Sequence, residues 1–197
     1  MKRILFAVLV LIAVAPGSFA QEPALKTIFN GKNLDGWIVP QNNHDNWTVK
    51  EGILYVKSDT AKKGSILWTE KKYSNFIISA DFKMIDGVVD SGIFLRSEND
   101  QIQIGISGSL KRDLTASPYL PKLRYPVEAN VKDILKPMDW NTMKVKVVDK
   151  TYTVWLNGVE VMTYTSESIP ANGPVGLQLH PGNEMSINYR NIVLAEL

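Results

Sequence analysis

Apolar residues recur at every second position along most of the chain, as strands with one buried and one open face require. In NFIISADFKM the alternation sets Phe76, Ile78, Ala80, Phe82 and Met84 on one face, with Ile77, Ser79, Asp81 and Lys83 on the other. TMKVKVV and TYTVWLNGVEVMTY repeat the pattern, and the second carries Asn157-Gly158 between its two runs. That dipeptide predicts a two-residue hairpin, because a type I′ turn needs positive φ at both positions. Shorter runs at 47–49, 53–56, 66–69, 175–180 and 186–194 are set off by Gly, Pro, Asn and Asp. One stretch changes period. In PVEANVKDILKP, Val127, Val131, Ile134 and Leu135 form a stripe between Pro126 and Pro137, which predicts a short helix. About a dozen short strands with one small helix define an all-β sandwich of antiparallel sheets.

The open faces are unequal. In VVDSGIFLRSENDQIQIGISGSLKRD, Ile93 and Leu95 share one face, with Gly92, Phe94 and Arg96 opposite. After a polar turn, Ile102, Ile104 and Ile106 face the core and leave Gln101, Gln103, Gly105 and Ser107 outside. In GPVGLQLHPG, Val175, Leu177 and Leu179 point inward, with Gly176, Gln178 and His180 opposite. A plain solvated face carries Lys, Glu and Thr; this one gathers Arg, Gln, His and glycines. If the three strands share a sheet, Arg96, Gln101, Gln103, Gln178 and His180 line one surface. Gln and Arg hold directed donors in fixed geometry, which suits sugar hydroxyls. Glycine leaves room for a ring to approach the backbone. An imidazole, with an ordinary pKa near 6.5, can exchange a proton near neutrality, which makes His180 a candidate base. The competing reading is a solvated face whose amides pair with one another. The five Trp, at 37, 47, 68, 140 and 155, are expected mainly to pack.

The start of the chain is of another kind. Lys2 and Arg3 precede an apolar run from Ile4 to Val14, Pro16-Gly17 breaks it, and Ser18-Phe19-Ala20 supplies small residues for cleavage. This reads as a signal peptide over residues 1–20, too short for a membrane span of roughly 20 apolar residues. It predicts a periplasmic or secreted product starting at Gln21, with one domain over 21–197 and no membrane contact after cleavage. With no cysteine there is neither a disulfide nor a lipid-modified thiol. Removing Lys2 and Arg3 from the 22 basic residues leaves them equal to the 20 acidic ones. A nucleic-acid partner, which would want a basic stripe, is not expected.

Other chemistry is sparse. An ordinary glycosidase flanks its bond with two carboxylates. Asp81, Asp86, Asp90 and Asp113 are the candidates, and each reads more readily as a turn or surface residue. HExxH, GxSxG and EF-hand signatures are lacking, so no metal ligands are legible, no cofactor is evident, and a divalent metal remains open. GISGSLKRD is Gly-rich beside Lys111 but opens no helix, which argues against a phosphate loop. His44, in QNNHDNW, reads as solvated.

IFNGKNLDGW, DSGIFLR, QIQIGISGSLKRDLTASPY, DWNTMKVKV, VWLNGVEV, GPVGLQLHPG and INYRNIVLAEL follow one another in an order that resembles the 3-keto-disaccharide hydrolase-like family, over residues 26 to 197. The resemblance implies a concanavalin-like jelly roll whose first and last strands lie side by side, with one ligand-facing sheet. It implies a carbohydrate partner and cleavage of 3-keto-glycosides, in which a base removes the proton at C2 and the C1 oxygen leaves. On that footing His180 or Asp113 is the base, and Arg96 or Lys111 meets the enolate oxygen. Gln101, Gln103, Gln178 and Tyr119 orient the sugar. Many relatives carry Glu where this chain has Gln101 and Asn where it has Asp90, and an amide at 101 cannot act as a base. The alternative within the same fold is a carbohydrate-binding domain that does not cleave.

Overall fold

Fourteen strands and almost no helix make up the computed structural model, which describes residues 22–42 and 44–197. The expected signal peptide lies outside the described residues. In chain order the strands are β1 (Lys26–Thr27), β2 (Trp37–Ile38), β3 (Trp47–Lys50), β4 (Ile53–Lys57), β5 (Ser65–Thr69), β6 (Phe76–Gly87) and β7 (Asp90–Leu95). There follow β8 (Gln101–Gly105), β9 (Pro118–Tyr119), β10 (Asn141–Val148), β11 (Thr151–Leu156), β12 (Val159–Thr165), β13 (Val175–Leu179) and β14 (Met185–Glu196).

They form two antiparallel sheets. The larger has eight strands in the order β12-β11-β10-β6-β14-β4-β3, with β1 added on β14; the smaller has six, β2-β5-β13-β7-β8-β9. The expected pairing of the chain's ends is present, with Lys26 opposite Leu194 and Thr27 opposite Val193. Asn157 and Gly158 have φ of 50° and 85° and close the β11–β12 hairpin as the dipeptide predicts.

The alternation read from the sequence fills the space between the sheets. Phe76, Ile78, Ala80 and Phe82 of β6 meet Ile93 and Leu95 of β7, Ile102 and Ile104 of β8, and Leu177 and Leu179 of β13 in one core. Leu177→Ala or Leu179→Ala is expected to cost about 2–5 kcal/mol, because the neighbours collapse only partly into the cavity. A thermal melt reads this, and any activity should fall only with the folded fraction.

The helix expected at 126–137 does not form. Val131 accepts the N–H groups of Ile134 and Leu135, but Asp133 adopts φ 64° and ends the turn there. Asn130 Oδ1 accepts from the Lys132 N–H at 3.3 Å, a local bond that competes with a helical ladder. Val127, Val131, Ile134 and Leu135 still pack against the core, so the stripe reported burial correctly and conformation wrongly. Among the described residues the helical conformation is a 3-10 turn, His44–Asn46.

Candidate active site

On the six-stranded sheet, Ile93, Ile102, Ile104 and Leu177 face inward, which turns Asp90, Gly92, Gln101, Gln103 and Gln178 outward by strand alternation. Over them opens a cavity of ≈ 430 Å³ that collects six expected residues: Gln101, Gln103, Lys111, Tyr119, Gln178 and His180. Its floor is wired. Gln101 lies across side-chain-free Gly92 and donates from Nε2 to Gln178 Oε1 at 2.6 Å. Gln103 donates from Nε2 to Asp90 Oδ1 at 2.8 Å and accepts from the Tyr125 hydroxyl at 3.0 Å. Gln101 and Gln103 are buried, so they shape and orient more than they touch. The amide pairing expected of a bland face is thus real between Gln101 and Gln178, but it surrounds an acid–base pair.

That pair is Asp90 and His180. Asp90 is buried; its Oδ2 accepts the Gly108 N–H at 2.8 Å and lies 3.6 Å from His180 Nε2. Two donors satisfy a buried carboxylate that would otherwise be costly. The His180 ring is about one-third exposed, and its Nδ1 sits 2.7 Å from the Pro181 carbonyl oxygen. That oxygen can only accept, so Nδ1 carries the proton in this contact and Nε2 presents its lone pair beside Asp90. Lys111 stands on the rim at φ 56°, in a turn where its N–H meets the Ser107 carbonyl at 2.8 Å.

The far wall belongs to the segment after β9. Arg112 grips Glu128 with two parallel bonds, and Ser117 Oγ accepts the Ala129 N–H at 3.0 Å. Tyr125, so fixed, meets Tyr119 in a tilted contact, with ring centroids 5.3 Å apart and planes at 53°. Burial pushes the Tyr125 phenol up to about 12, and the Asp90 charge adds to the rise against a Ser107 hydrogen bond. It therefore stays a neutral donor to Gln103 through the working range.

Two expected residues stand elsewhere. Alternation carried one step beyond Leu95, where β7 ends, predicts Arg96 on this face. At φ 63° the backbone turns, and the guanidinium is buried at the rim of the sandwich. There it donates to the carbonyls of Asp149 at 2.6 Å, Pro170 at 3.0 Å and Ser74, and to Asn75 Oδ1 at 3.1 Å. Burial pulls its pKa below the ordinary arginine value, the Asp149 and Asp100 charges opposing. Arg96 is a clasp. Arg96→Ala is expected to cost about 2–4 kcal/mol through orphaned acceptors, limited by water entering a neighbouring cavity. Melting should show the loss while ligand binding at the pocket stays unchanged. Asp113 also misses the pocket: its Oδ1 accepts the Thr115 N–H at 2.9 Å, as a turn residue does.

Conversely, period two puts Asp90 on the face of Gly92, although its sequence setting also fits a turn residue. Tyr125 lies in an irregular segment and had no periodic signal. Among the described residues no group of three or more His, Asp or Glu gathers to hold a metal ion.

Fold and pocket together define an antiparallel β-sandwich with a polar cavity, lined by Asp90 and His180, on its smaller sheet. The chain belongs to the 3-keto-alpha-glucoside-1,2-lyase-like domain family, whose model matches residues 24–195. It is similar in structure to a candidate glycosyl hydrolase from Parabacteroides distasonis, at 24% identity and a TM-score of 0.67, over 89% of this chain and 100% of that one. It is also similar to the carbohydrate binding module CBM66 from Bacillus subtilis (14%, TM-score 0.54, 80% and 93%). The Emp47p carbohydrate recognition domain matches likewise (15%, TM-score 0.58, 87% and 94%). At these identities the likeness establishes the fold. No curated protein matches the chain by sequence.

Proposed function

We propose that this protein cleaves 3-keto-glycosides by elimination across C1 and C2 followed by hydration, with net hydrolysis. The observation that carries the reading is the Asp90–His180 pair, 3.6 Å apart in an open polar cavity rimmed by Lys111. A ketone at C3 acidifies the C2 hydrogen. His180 Nε2 takes that proton, and the C–H electron pair passes into the ketone as an enolate. The enolate then reforms the carbonyl as a C1=C2 double bond forms and the C1–O bond breaks. The leaving oxygen keeps the bonding pair and takes the proton from the imidazolium. Water adds to C1 of the enone and C2 is reprotonated.

Asp90 steadies the imidazolium between the two transfers, and the Lys111 ammonium faces the enolate oxygen. Gln178 and Tyr119 orient the ring hydroxyls, while Gln103, held by Tyr125, fixes Asp90. Family membership supports the substrate class. The leader expected at residues 1–20 sets this reaction outside the cytoplasm.

A second reading, sugar binding without cleavage, draws on the open polar lining of the cavity and on the carbohydrate-binding proteins that share the fold. One experiment separates them. Purified protein incubated with 3-keto-trehalose or methyl 3-keto-glucoside should release free sugar, with and without a chelator. Measurable oligosaccharide binding with no release from any keto-glycoside would overturn hydrolysis in favour of the binding reading.

A further inference from the structure

The outer face of the smaller sheet continues beyond the acid–base cavity. Ile38, Trp68, Gly176, Phe94, Gln101 and Tyr119 are successive cross-strand partners through all six strands. Along this row the surface changes from apolar to polar at Phe94 and Gln101. Trp68 is partly exposed, and neither it nor Phe94 belongs to the core between the sheets. The indole lies down over the neighbouring strand: a Cβ on Gly176 would fall 2.6 Å from its Cε3 and Cζ3 atoms. Phe94 props it, with centroids 5.6 Å apart. The result is an aromatic platform whose open surface is the indole, with the buried Phe94 ring tilted 38° beside it.

Over the platform runs an open groove of ≈ 380 Å³, rimmed by Ser65 and Glu98. It shares Gln178 and Pro181 with the acid–base cavity, so one ligand can span both. An indole face suits the C–H face of a pyranose, and a hydroxyl with a carboxylate at the rim suits its ring hydroxyls. A purely aromatic aglycone would leave that polar rim unpartnered.

We propose that the Trp68 groove is a second sugar subsite, which receives the departing pyranose while the keto ring sits over Asp90 and His180. The protein then takes disaccharide-sized glycosides in preference to simple alkyl glycosides. This rests on the reading of the cavity as a keto-glycoside site, and the test keeps the two apart. Binding is measured calorimetrically with trehalose and methyl α-glucoside, neither of which can react, and turnover is measured with their 3-keto forms.

The wild type should favour the disaccharide roughly tenfold in both measurements, about what one ring-stacking contact supplies. Trp68→Leu, which keeps apolar cover over Gly176, should erase that preference and leave the methyl glycoside unchanged; Trp68→Phe should keep part of it. A wild type that does not distinguish the two ligands overturns the subsite, whether or not the variants fold. So does equal weakening of both ligands in Trp68→Leu, or an aryl glycoside that displaces trehalose more strongly than a second disaccharide does. Trp68-dependent disaccharide binding without any turnover would sink the hydrolysis reading and leave the subsite standing.

Discussion

Deleting residues 187–197 is expected to abolish folding instead of trimming a tail. The segment is most of β14, which lies in the middle of the larger sheet and pairs with β6, β4 and β1. Without it, β3 and β4 lose their connection to the rest of the sheet. The deletion also strips Ile187, Tyr189, Ile192 and Leu194 from the core, all essentially buried. Truncating one such side chain costs about 2–5 kcal/mol. Four together match or exceed the roughly 5–15 kcal/mol by which an entire domain is stable. Tyr189 adds a polar loss, since its hydroxyl lies 2.8 Å from Ser91 Oγ, which donates to the Gln178 carbonyl under the polar cavity. Circular dichroism and a melt of the truncated protein check this; a soluble product with an unchanged cooperative transition would contradict the sheet order.

The second large effect is on rate and leaves the fold alone. His180→Gln and Asp90→Asn are expected to lower kcat/KM on a 3-keto-glycoside by roughly 10²–10⁴, the range for losing a general acid–base group. The two should not add, because Asp90 acts through the imidazolium it stabilises. His180→Gln should leave stability within about 1 kcal/mol, as partly exposed substitutions usually do. Asp90→Asn keeps an oxygen for either Gln103 or the Gly108 N–H but turns its NH2 toward the other donor, and should cost about 1–3 kcal/mol. If both variants keep full turnover per folded molecule, the proton moves through other groups. If His180→Gln melts as early as Leu179→Ala, His180 is a structural residue.

What was legible followed from periodicity. Strand positions, their inward residues and the Asn157-Gly158 turn all depend on interactions within a few residues, and these the sequence displays. The outward face of three strands could also be read, and with it Gln101, Gln103, Gln178 and His180. Failures came where the period was carried past an element's end or met a backbone it cannot see. Arg96 lies one residue beyond β7 at positive φ, and that single dihedral sends its guanidinium to other carbonyls. The apolar stripe of 127–135 fits a helix as well as an irregular segment laid on the core, and Asp133 at φ 64° decides for the latter. Asp90 turned on a different matter: an Asp-Ser-Gly run resembles a turn until β8 and the Gly108 amide close over the carboxylate.

The sheet order also constrains when this molecule can exist during its own synthesis. β6 and β14 are hydrogen-bonded neighbours more than a hundred positions apart, as Phe76 opposite Glu196 shows. In the smaller sheet β13 separates β5 from β7, although those two are close in sequence. A nascent chain therefore holds two sheets with gaps in their middles until β13 and β14 emerge. Closing such long loops spends entropy before any core forms, which places folding among the slow all-β cases, in milliseconds to seconds. Until then the unpaired edges of β5, β6 and β7 are open to other chains. A chaperone that keeps the polypeptide extended until synthesis ends would suit it better than one that favours early collapse.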